Sequence, residues 1–272
     1  MAEGSILERI VARRRLDLEE AKARRPPAAV ERAAAEAPPP LDIVARLRRG
    51  GGMAVMAEIK RASPSRGDIA PDIDAAEQAR RYAAAGAAVI SVLTEPHWFK
   101  GSLADLERAR AALEPLGAER PALLRKDFIL DPYQVAEARA AGADAVLLIV
   151  ACLDDAALRE LLAETRAYGM EALVEVNSGA EMERAAAAGA RFVGINNRNL
   201  HDFRVDLATT ERLAAQRPPG ALLAALSGIE RREDVERFAR AGAEAVLVGE
   251  ALMRAEDPGA LIREFAAVPV MG

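Results

Sequence analysis

Residues Met53–Asp68 read MAVMAEIKRASPSRGD, an apolar run that breaks into a polar loop. Side chains two positions apart on a strand point to the same face, so Glu58 and Lys60 are predicted to project together from the strand's carboxyl end. An acid and a base on one face are typical of a catalytic site. An exposed ion pair has the same pattern, although such a pair stabilises a protein by only about 0 to 1 kcal/mol.

One unit recurs along the chain: a short apolar run, a loop, and an Ala-rich helical pattern that ends in glycine. The helix ends carry a repeated Ala-Gly-Ala, in which glycine supplies the left-handed cap before the next strand. These joints are Ala85-Gly86-Ala87, Ala141-Gly142-Ala143, Ala188-Gly189-Ala190 and Ala241-Gly242-Ala243. Strands that alternate with helices predict a parallel sheet.

Eight apolar runs have the length of a strand. They are Val55–Ile59, Ala88–Leu93, Ala122–Leu124, Ala145–Val150, Ala172–Val176, Phe192–Ile195, Ala221–Leu226 and Ala245–Val248. Eight such repeats within about 220 residues predict an α/β fold, the (β/α)8 TIM barrel. A doubly wound open sheet is the alternative, but it usually carries a Gly-rich fingerprint after its first strand, and no G-x-G-x-x-G follows Ile59.

The residues before the barrel have a different pattern. Apolar residues at helical spacing predict an amphipathic helix over Ser5–Ala23, which Pro26 and Pro27 would end, and a shorter helix over Leu41–Arg49. We expect residues 1–52 to form an N-terminal helical extension that packs across one mouth of the barrel, residues 53–272. The two segments together are predicted to form a single structural domain.

Composition limits the kinds of partner. The chain has 272 residues, 51% of them hydrophobic, and a net charge of -5, with no basic tract that would indicate nucleic-acid binding. Cys152 is the single cysteine, so no disulfide framework or thiolate metal site is expected, and a cytoplasmic location fits best. The apolar runs fall short of the roughly 20 residues needed to span a membrane, so no membrane partner is expected.

Lysine is rare and selectively placed. Of the 37 cationic residues, lysine accounts only for Lys22, Lys60, Lys100 and Lys126. Arginine stays charged in proteins, whereas the pKa of a lysine shifts readily on burial, so a lysine at a strand end suggests proton transfer.

Active sites of TIM barrels lie at the carboxyl ends of the strands. The polar groups predicted at those ends are Glu58, Lys60, Lys126, Glu175, Asn196, Arg198, Ser227 and Glu250. Any one of these residues could be a solvated polar group at a strand end. Together they predict one active site at the carboxyl mouth of the barrel. Gly228 and Gly249 follow strands seven and eight, where such barrels often bind phosphate through backbone N–H groups and a helix N-terminus. Glycines that merely turn the chain are the alternative there.

Seven blocks, AEIKRASPSRG, SVLTEPHWFKGS, LRKDFILDPYQ, ALVEV, GINNRNL, SGI and VGEALM, occur in this order. Together they resemble the indole-3-glycerol phosphate synthase family of tryptophan biosynthesis, over roughly residues 5 to 268. The resemblance implies a carbon-carbon lyase (carboxy-lyase) with no metal or organic cofactor. Its small-molecule phosphosugar substrate would be 1-(2-carboxyphenylamino)-1-deoxyribulose 5-phosphate, and we expect a monomer that associates at most weakly.

The resemblance also implies residue roles. Lys126 would be the principal general acid and Glu175 a general base, while Glu58 and Lys60 would position and polarise the substrate. The substrate contacts would be Ser63, Asn196 and Arg198, with Phe99 and Phe128 flanking the aromatic ring. The phosphate would be held mainly by the backbone of Ser227, Gly228, Gly249 and Glu250. The resemblance gives His97 and His201 no role.

The chain departs from the family at one site position. The family usually reads Ala-Glu-Ser-Gly before the seventh loop, whereas this chain reads Ala225-Leu226-Ser227-Gly228. We expect Leu226 to attenuate activity if the rest of the site was built for that carboxylate. Two other interpretations stay open: another phosphosugar barrel enzyme, such as an isomerase or a Schiff-base aldolase that uses Lys126, and a barrel that binds a phosphosugar without turning it over.

Overall fold

A computed structural model describes residues 5–270 of the chain, so residues 1–4 and 271–272 of the two predicted segments lie outside the described residues. Eight parallel strands form a closed barrel. In chain order they are β1 Ala54–Ile59, β2 Val89–Leu93, β3 Ala122–Lys126, β4 Ala145–Ile149, β5 Glu171–Val176, β6 Phe192–Asn196, β7 Leu222–Leu226 and β8 Ala245–Val248. Each strand pairs with the next, and β1 also pairs with β8, where Ala54 lies opposite Ala245. The predicted (β/α)8 barrel is confirmed.

Helices precede the barrel and surround it. Within residues 5–270 they are α1 Ile6–Arg24, α2 Pro27–Glu36, α3 Ile43–Leu47, α4 Ala75–Ala84, α5 Leu103–Leu113, α6 Pro132–Ala140, α7 Asp155–Ala167, α8 Gly179–Ala187, α9 Ala208–Ala214, α10 Arg232–Arg240, α11 Glu250–Arg254 and α12 Pro258–Ala266. Two 3-10 turns, Glu114–Glu119 and Val150–Cys152, and a hairpin of Ala62–Ser63 with Gly67–Asp68 complete the regular structure. None of these helices is long and apolar enough to cross a membrane.

The Ala-Gly-Ala joints behave as the sequence predicts. Their glycines have φ between 81° and 90°, a left-handed conformation that side chains other than glycine rarely adopt. Each ends one helix and lets the next strand start within a few residues. The repeated joint therefore fixes the alternation of helix and strand.

The strands are buried on both faces, as parallel strands are when helices cover the outside. Outward side chains such as Val55 and Ile90 pack with the helices in one large cluster. Inward side chains such as Met56, Leu124 and Phe192 fill the barrel interior. The interior is thus a packed core, and the buried carboxylates of Glu58 and Glu175 stand towards the carboxyl end of their strands.

Helix α1 lies at the carboxyl end of the barrel. Arg14 Nη2 donates a 3.0 Å hydrogen bond to Oδ2 of the buried Asp127, which directly follows β3. Arg13 Nε donates to His97 Nε2 at 3.0 Å in the loop after β2. Leu7 and Ile10 of the same helix are buried in the cluster that fills the barrel interior.

Helix α3 lies at the opposite, amino end. Arg48 Nη2 donates to the carbonyl oxygen of Gly220 before β7, and its Nε lies 3.3 Å from Glu244 Oε2 before β8. Ile43 and Leu47 are buried in the same interior cluster. The prediction that both helices of the extension cross one mouth was therefore wrong, because the extension reaches both ends of the barrel.

The reason for that error is a helix that the sequence reading missed. Pro26 and Pro27 end α1, but Pro27 also occupies the first position of α2, where its missing N–H and fixed φ suit a helix start. Val30 and Ala34 of α2 pack against Tyr133 and the rest of α6. At about 1.5 Å per residue, α2 carries the chain some 15 Å along the side of the barrel.

Candidate active site

The acid and base at the end of β1 form the centre of the mouth. Glu58 is buried, and its Oε1 lies 2.7 Å from Lys60 Nζ. Its Oε2 lies 3.6 Å from Nζ of Lys126, the last residue of β3. One carboxylate therefore holds two ammonium groups, which excludes the interpretation of Glu58 and Lys60 as an exposed surface pair.

The charges around Glu58 set its protonation. Burial by itself disfavours a carboxylate, but the two neighbouring lysines outweigh that cost and hold the pKa of Glu58 below its ordinary value. Glu58 is consequently ionised at neutral pH. It can orient both lysines while each keeps a free direction into the mouth.

Glu175, at the end of β5, has the opposite environment. Burial raises the pKa of Glu175 above its ordinary value, and the nearby Lys126 and the hydrogen bond from Asn196 only partly oppose this. Asn196 Nδ2 donates to Glu175 Oε1 at 2.8 Å, so the carboxyl group is fixed in orientation. Two glutamates in one mouth thus have pKa values that are pulled apart, as in sites that carry out acid and base chemistry together.

A cavity of about 540 Å³ opens above these groups at the carboxyl end of the barrel. Its lining includes both carboxylates and both lysines, with apolar walls from the loops that follow the strands. The predicted site residues that line it are Glu58, Lys60, Ser63, Phe99, Lys126, Glu175, Asn196, Arg198, Leu226, Ser227, Gly228, Gly249 and Glu250. A cavity of this size suits a small organic molecule.

Phe128 is the predicted residue that does not line the cavity. Its side chain is buried and packs against Phe99, with ring centroids 6.2 Å apart and planes tilted by 40°. It therefore supports Phe99 from behind. The spacing of the two residues in sequence does not reveal which ring is in front.

The loop after β7 has a demanding backbone. Ser227 has φ 66° and Gly228 φ 79°, so two successive residues are left-handed, and such strain is common at functional sites. A Cβ at position 228 would come within 2.7 Å of side-chain atoms of Leu207 and Val205. Glycine is therefore required there by the fold itself as well as by any anion that binds the loop.

Gly249 contacts the central carboxylate directly. A Cβ built on Gly249 would collide with the Glu58 carboxylate and lie 3.0 Å from Lys60 Nζ. The backbone after β8 can approach the ion pair this closely only because position 249 has no side chain. The predicted phosphate end and the predicted proton-transfer groups are thus in contact.

Glu250 and Arg198 lie at the outer part of the same end. Glu250 Oε1 is 3.1 Å from Arg66 Nε and 3.0 Å from Arg254 Nη1, so its side chain is neutralised by two guanidinium groups. Arg198 Nη1 donates to Ser65 Oγ at 3.4 Å, and burial lowers the pKa of Arg198 from its ordinary value. This end of the cavity is rich in cationic groups and can hold an anion.

Sequence reasoning missed Arg66 and the apolar wall of the cavity. Arg66 stands in the first quoted loop, but its role becomes visible only when that loop folds over to Glu250. The wall comes from Leu200, Phe203 and Leu207 in the long loop after β6. That loop has no periodic pattern from which its side-chain directions could be predicted.

Leu226 is 1% exposed and ends β7 beside Asn196 of β6. A Cβ on Gly194 would lie 2.7 Å from Leu226 Cδ1, so the leucine occupies space that a residue other than glycine at 194 would need. The apolar side chain is therefore well packed at the floor of the cavity. Among the described residues, no group of three or more His, Cys, Asp or Glu is arranged to hold a metal ion.

The chain has relatives of two lengths. It is 48% identical over 263 residues to indole-3-glycerol phosphate synthase of Roseiflexus sp. (strain RS-1), covering 96% of this chain and 98% of that protein. It is 54% identical over 266 residues to the multifunctional tryptophan biosynthesis protein of Schizosaccharomyces pombe (strain 972 / ATCC 24843), covering 96% of this chain and 35% of that protein. The chain thus spans about a third of the length of the multifunctional relatives.

Solved structures share the fold. A crystal structure of 3-hexulose-6-phosphate synthase from Salmonella typhimurium aligns with a TM-score of 0.62 at 18% identity, covering 79% of this chain and 97% of that chain. At this identity the likeness shows the barrel alone. The sequence model of the family described as indole-3-glycerol phosphate synthase, in contrast, matches residues 7–265. The chain therefore belongs to the indole-3-glycerol phosphate synthase family.

Proposed function

We propose that this chain converts 1-(2-carboxyphenylamino)-1-deoxyribulose 5-phosphate into indole-3-glycerol phosphate, carbon dioxide and water. The observation that carries the proposal is the pairing of one ionised glutamate, Glu58, with Lys60 and Lys126 opposite a second glutamate, Glu175, whose pKa is raised. Family membership supports the same reaction. The reaction needs a proton donor and a proton acceptor in one mouth, and this arrangement supplies both.

Ring closure comes first. The ring carbon that bears the carboxylate attacks the ketone carbon of the deoxyribulose, and the ketone oxygen gains a proton as the carbon-carbon bond forms. Lys126 is placed to donate that proton, with its Nζ directed by Glu58. Lys60 on the other oxygen of the same carboxylate polarises the substrate.

Decarboxylation and dehydration follow. The bond to the carboxylate breaks, carbon dioxide leaves, and the electron pair restores the aromatic ring. The new hydroxyl group then departs as water after it gains a proton, while Glu175 takes a proton from the adjacent carbon. Asn196 donates a hydrogen bond to Glu175 Oε1 and so fixes the orientation of this carboxyl group.

The remaining site residues bind the substrate. Phe99, supported by Phe128, is placed to contact the aromatic ring. Ser63 and Arg198 line the cavity beside the phosphate end. The phosphate itself would be held by backbone N–H groups of Ser227, Gly228, Gly249 and Glu250, as at other barrel loops of this position.

An absorbance or fluorescence assay for indole formation from the carboxyphenylamino substrate tests the proposal. We expect turnover that needs no added metal or cofactor; a folded protein that binds the substrate and releases no indole product would contradict it. Borohydride added with substrate should leave Lys126 unmodified. Trapped substrate on Lys126 would instead indicate a Schiff-base aldolase.

We also propose that the chain acts in the cytoplasm as a monomer. The single cysteine, Cys152, is half-buried, and desolvation raises the pKa of its thiol to about 12, so it is held as an unreactive thiol that suits a reducing compartment. Light scattering across a concentration series tests the oligomeric state. A stable dimer at micromolar concentration would refute the second part.

A further inference from the structure

Glu175 lies between two cavities. One is the 540 Å³ cavity at the mouth, and the other is a small cavity of about 20 Å³ whose lining shares Glu175 and Leu200 with the first. The polar side chains around the small cavity are Glu175, Asn177, Glu181, Asn199 and His201. The lining also includes His201, which is exposed. The small cavity therefore connects the surface with the buried carboxyl group of Glu175.

The small cavity has the size and the chemistry for one water molecule. A water needs about 10–15 Å³ of space and two to four polar partners, and the surrounding carboxylates and amides supply them. Oε1 of Glu175 is occupied by Asn196. Within residues 5–270, the carboxyl group of Glu175 has one side-chain hydrogen bond, at Oε1, so Oε2 is the oxygen available for exchange.

The charged groups that act on Glu175 come from three elements. Lys126 of β3 favours its ionised form, while Glu181 of α8 and Glu58 of β1 oppose it. Cys152, after β4, lies near both Glu175 and Glu181, but burial and those two carboxylates raise the pKa of its thiol, so it stays neutral. Glu181 is therefore the second carboxylate that lines the small cavity, and its charge acts on Glu175.

We propose that Glu175 exchanges its proton with solvent through this small cavity, by way of one water and the carboxylate of Glu181. Glu175 gives its proton to the water, which passes one of its own to Glu181, and Glu181 releases a proton to solvent. At the end Glu175 is ionised again, the water is unchanged, and Glu181 is ionised once it has released its proton. No electron is transferred. The inference rests on the proposed function, in which Glu175 is the proton acceptor.

The need for such a path follows from the geometry of the mouth. Glu175 is 3% exposed, and a substrate that fills the large cavity covers Glu175 from the mouth. A proton taken during dehydration would then stay on Glu175 until the product leaves. Exchange through the small cavity lets Glu175 return to its ionised form while the product still occupies the mouth.

Glu181 also has a structural task, which the test must separate. Its Oε2 accepts the backbone N–H of Asn177 at 2.7 Å at the start of α8. Glu181→Gln keeps an acceptor oxygen for that N–H and keeps the side-chain volume, but it removes the charge and the ability to carry a proton. Glu183→Gln, two residues along the same helix at an exposed position, is the matched control.

We expect Glu181→Gln to lower kcat by about 5- to 20-fold with KM nearly unchanged, because a proton-transfer group contributes about 100- to 10,000-fold and solvent can replace part of a relay. The solvent deuterium isotope effect on kcat should rise in this variant. The acid limb of the pH profile should move to lower pH, since removing the Glu181 charge lets the pKa of Glu175 fall. Glu183→Gln should leave kcat, the solvent isotope effect and the pH profile unchanged.

A titration of the Glu175 carboxyl group by 13C NMR, in the wild type and in Glu181→Gln, gives a readout that needs no turnover. A lower pKa of Glu175 in the variant supports the placement of Glu181, and an unchanged pKa overturns it. If kcat and the isotope effect match the wild type, the relay is refuted. If the wild type makes no indole product, the proposed function fails, whereas the titration still decides whether Glu181 acts on Glu175.

Discussion

Replacing Glu58 by glutamine removes the charge that holds both lysines of the mouth. The glutamine has nearly the same shape, so the packing against Gly249 is kept and the loss is electrostatic. Lys60 and Lys126 would face each other without the carboxylate that lies 2.7 Å from one and 3.6 Å from the other. We therefore expect effects on both stability and catalysis.

The magnitude follows from burial. Removing one partner of a fully buried ion pair costs about 3–5 kcal/mol. The side chains of Lys60 and Lys126 keep 16% and 19% of their exposure, so water recovers part of the loss and we expect a decrease of about 2–3 kcal/mol in the free energy of unfolding. At about 2–4 °C per kcal/mol, the melting temperature should fall by about 4–12 °C.

The contribution of Glu58 to stability should depend on pH. Because the folded-state pKa of Glu58 is lowered from its ordinary value of 4.5, its contribution to stability is present above pH 4.5 and is lost as the pH falls towards the folded-state pKa. The difference between wild type and Glu58→Gln should thus be largest at neutral pH and shrink in acid. Turnover should fall by roughly 10- to 100-fold, because both lysines lose their orientation.

Calorimetry at pH 7 and at pH 4, together with the indole assay, checks these values. Glu211→Gln is the control, since it breaks an ion pair of 2.6 Å with Arg237 at the surface and should cost less than about 1 kcal/mol. Equal losses in the two variants, or a Glu58→Gln protein as stable as the wild type at neutral pH, would refute the account of a buried, doubly paired carboxylate.

Three further substitutions test the rest of the site. Lys126→Arg keeps the charge but hardly releases a proton, so turnover in the indole assay should fall roughly 100-fold or more while phosphate affinity changes little. Gly249→Val should weaken the binding of inorganic phosphate, measured by calorimetry, and lower turnover as well, because a side chain there displaces the Glu58 carboxylate. Leu226→Glu should raise kcat/KM at least several-fold and lower the melting temperature, since burial of a leucine is worth about 2 kcal/mol and a charge replaces it.

Each of the three has a matched control. Lys22→Arg changes a lysine paired with Asp131, neither of which lines the mouth cavity, and should keep turnover. Gly51→Ala adds a methyl group where no atom lies within 4 Å. Leu226→Gln separates shape from charge: a gain with glutamine equal to that with glutamate, or no gain with either in folded protein, would remove the missing carboxylate as the cause of attenuation.

The sequence predicts the strands and the residues at their ends, because both are determined by local sequence patterns. All eight strands agree within one or two residues because apolar runs and left-handed glycines such as Gly86 and Gly142 are local signals. The strand ends then bring Glu58, Lys126 and Glu175 to one mouth, because carboxyl ends of parallel strands meet there.

What depends on long-range packing was not predictable. Pro27 has the same sequence signal whether it stops one helix or starts the next, so α2 and the path of the extension were missed. Phe128 and Phe99 are both aromatic residues in strand-end loops, and only their packing shows that Phe99 faces the cavity. The contact of Arg66 with Glu250 likewise joins two distant loops.

The first and last strands of the barrel meet only when the ring closes, and the active centre stands on that seam. Glu58 belongs to β1 and Lys60 directly follows it, whereas Gly249, which lies against their side chains, follows β8. A seam between strands so far apart in sequence has a high loop-closure cost and is expected to form late in folding. Catalysis therefore depends on closure of the ring, and we expect local separation of β1 from β8 to abolish activity before the rest of the barrel unfolds.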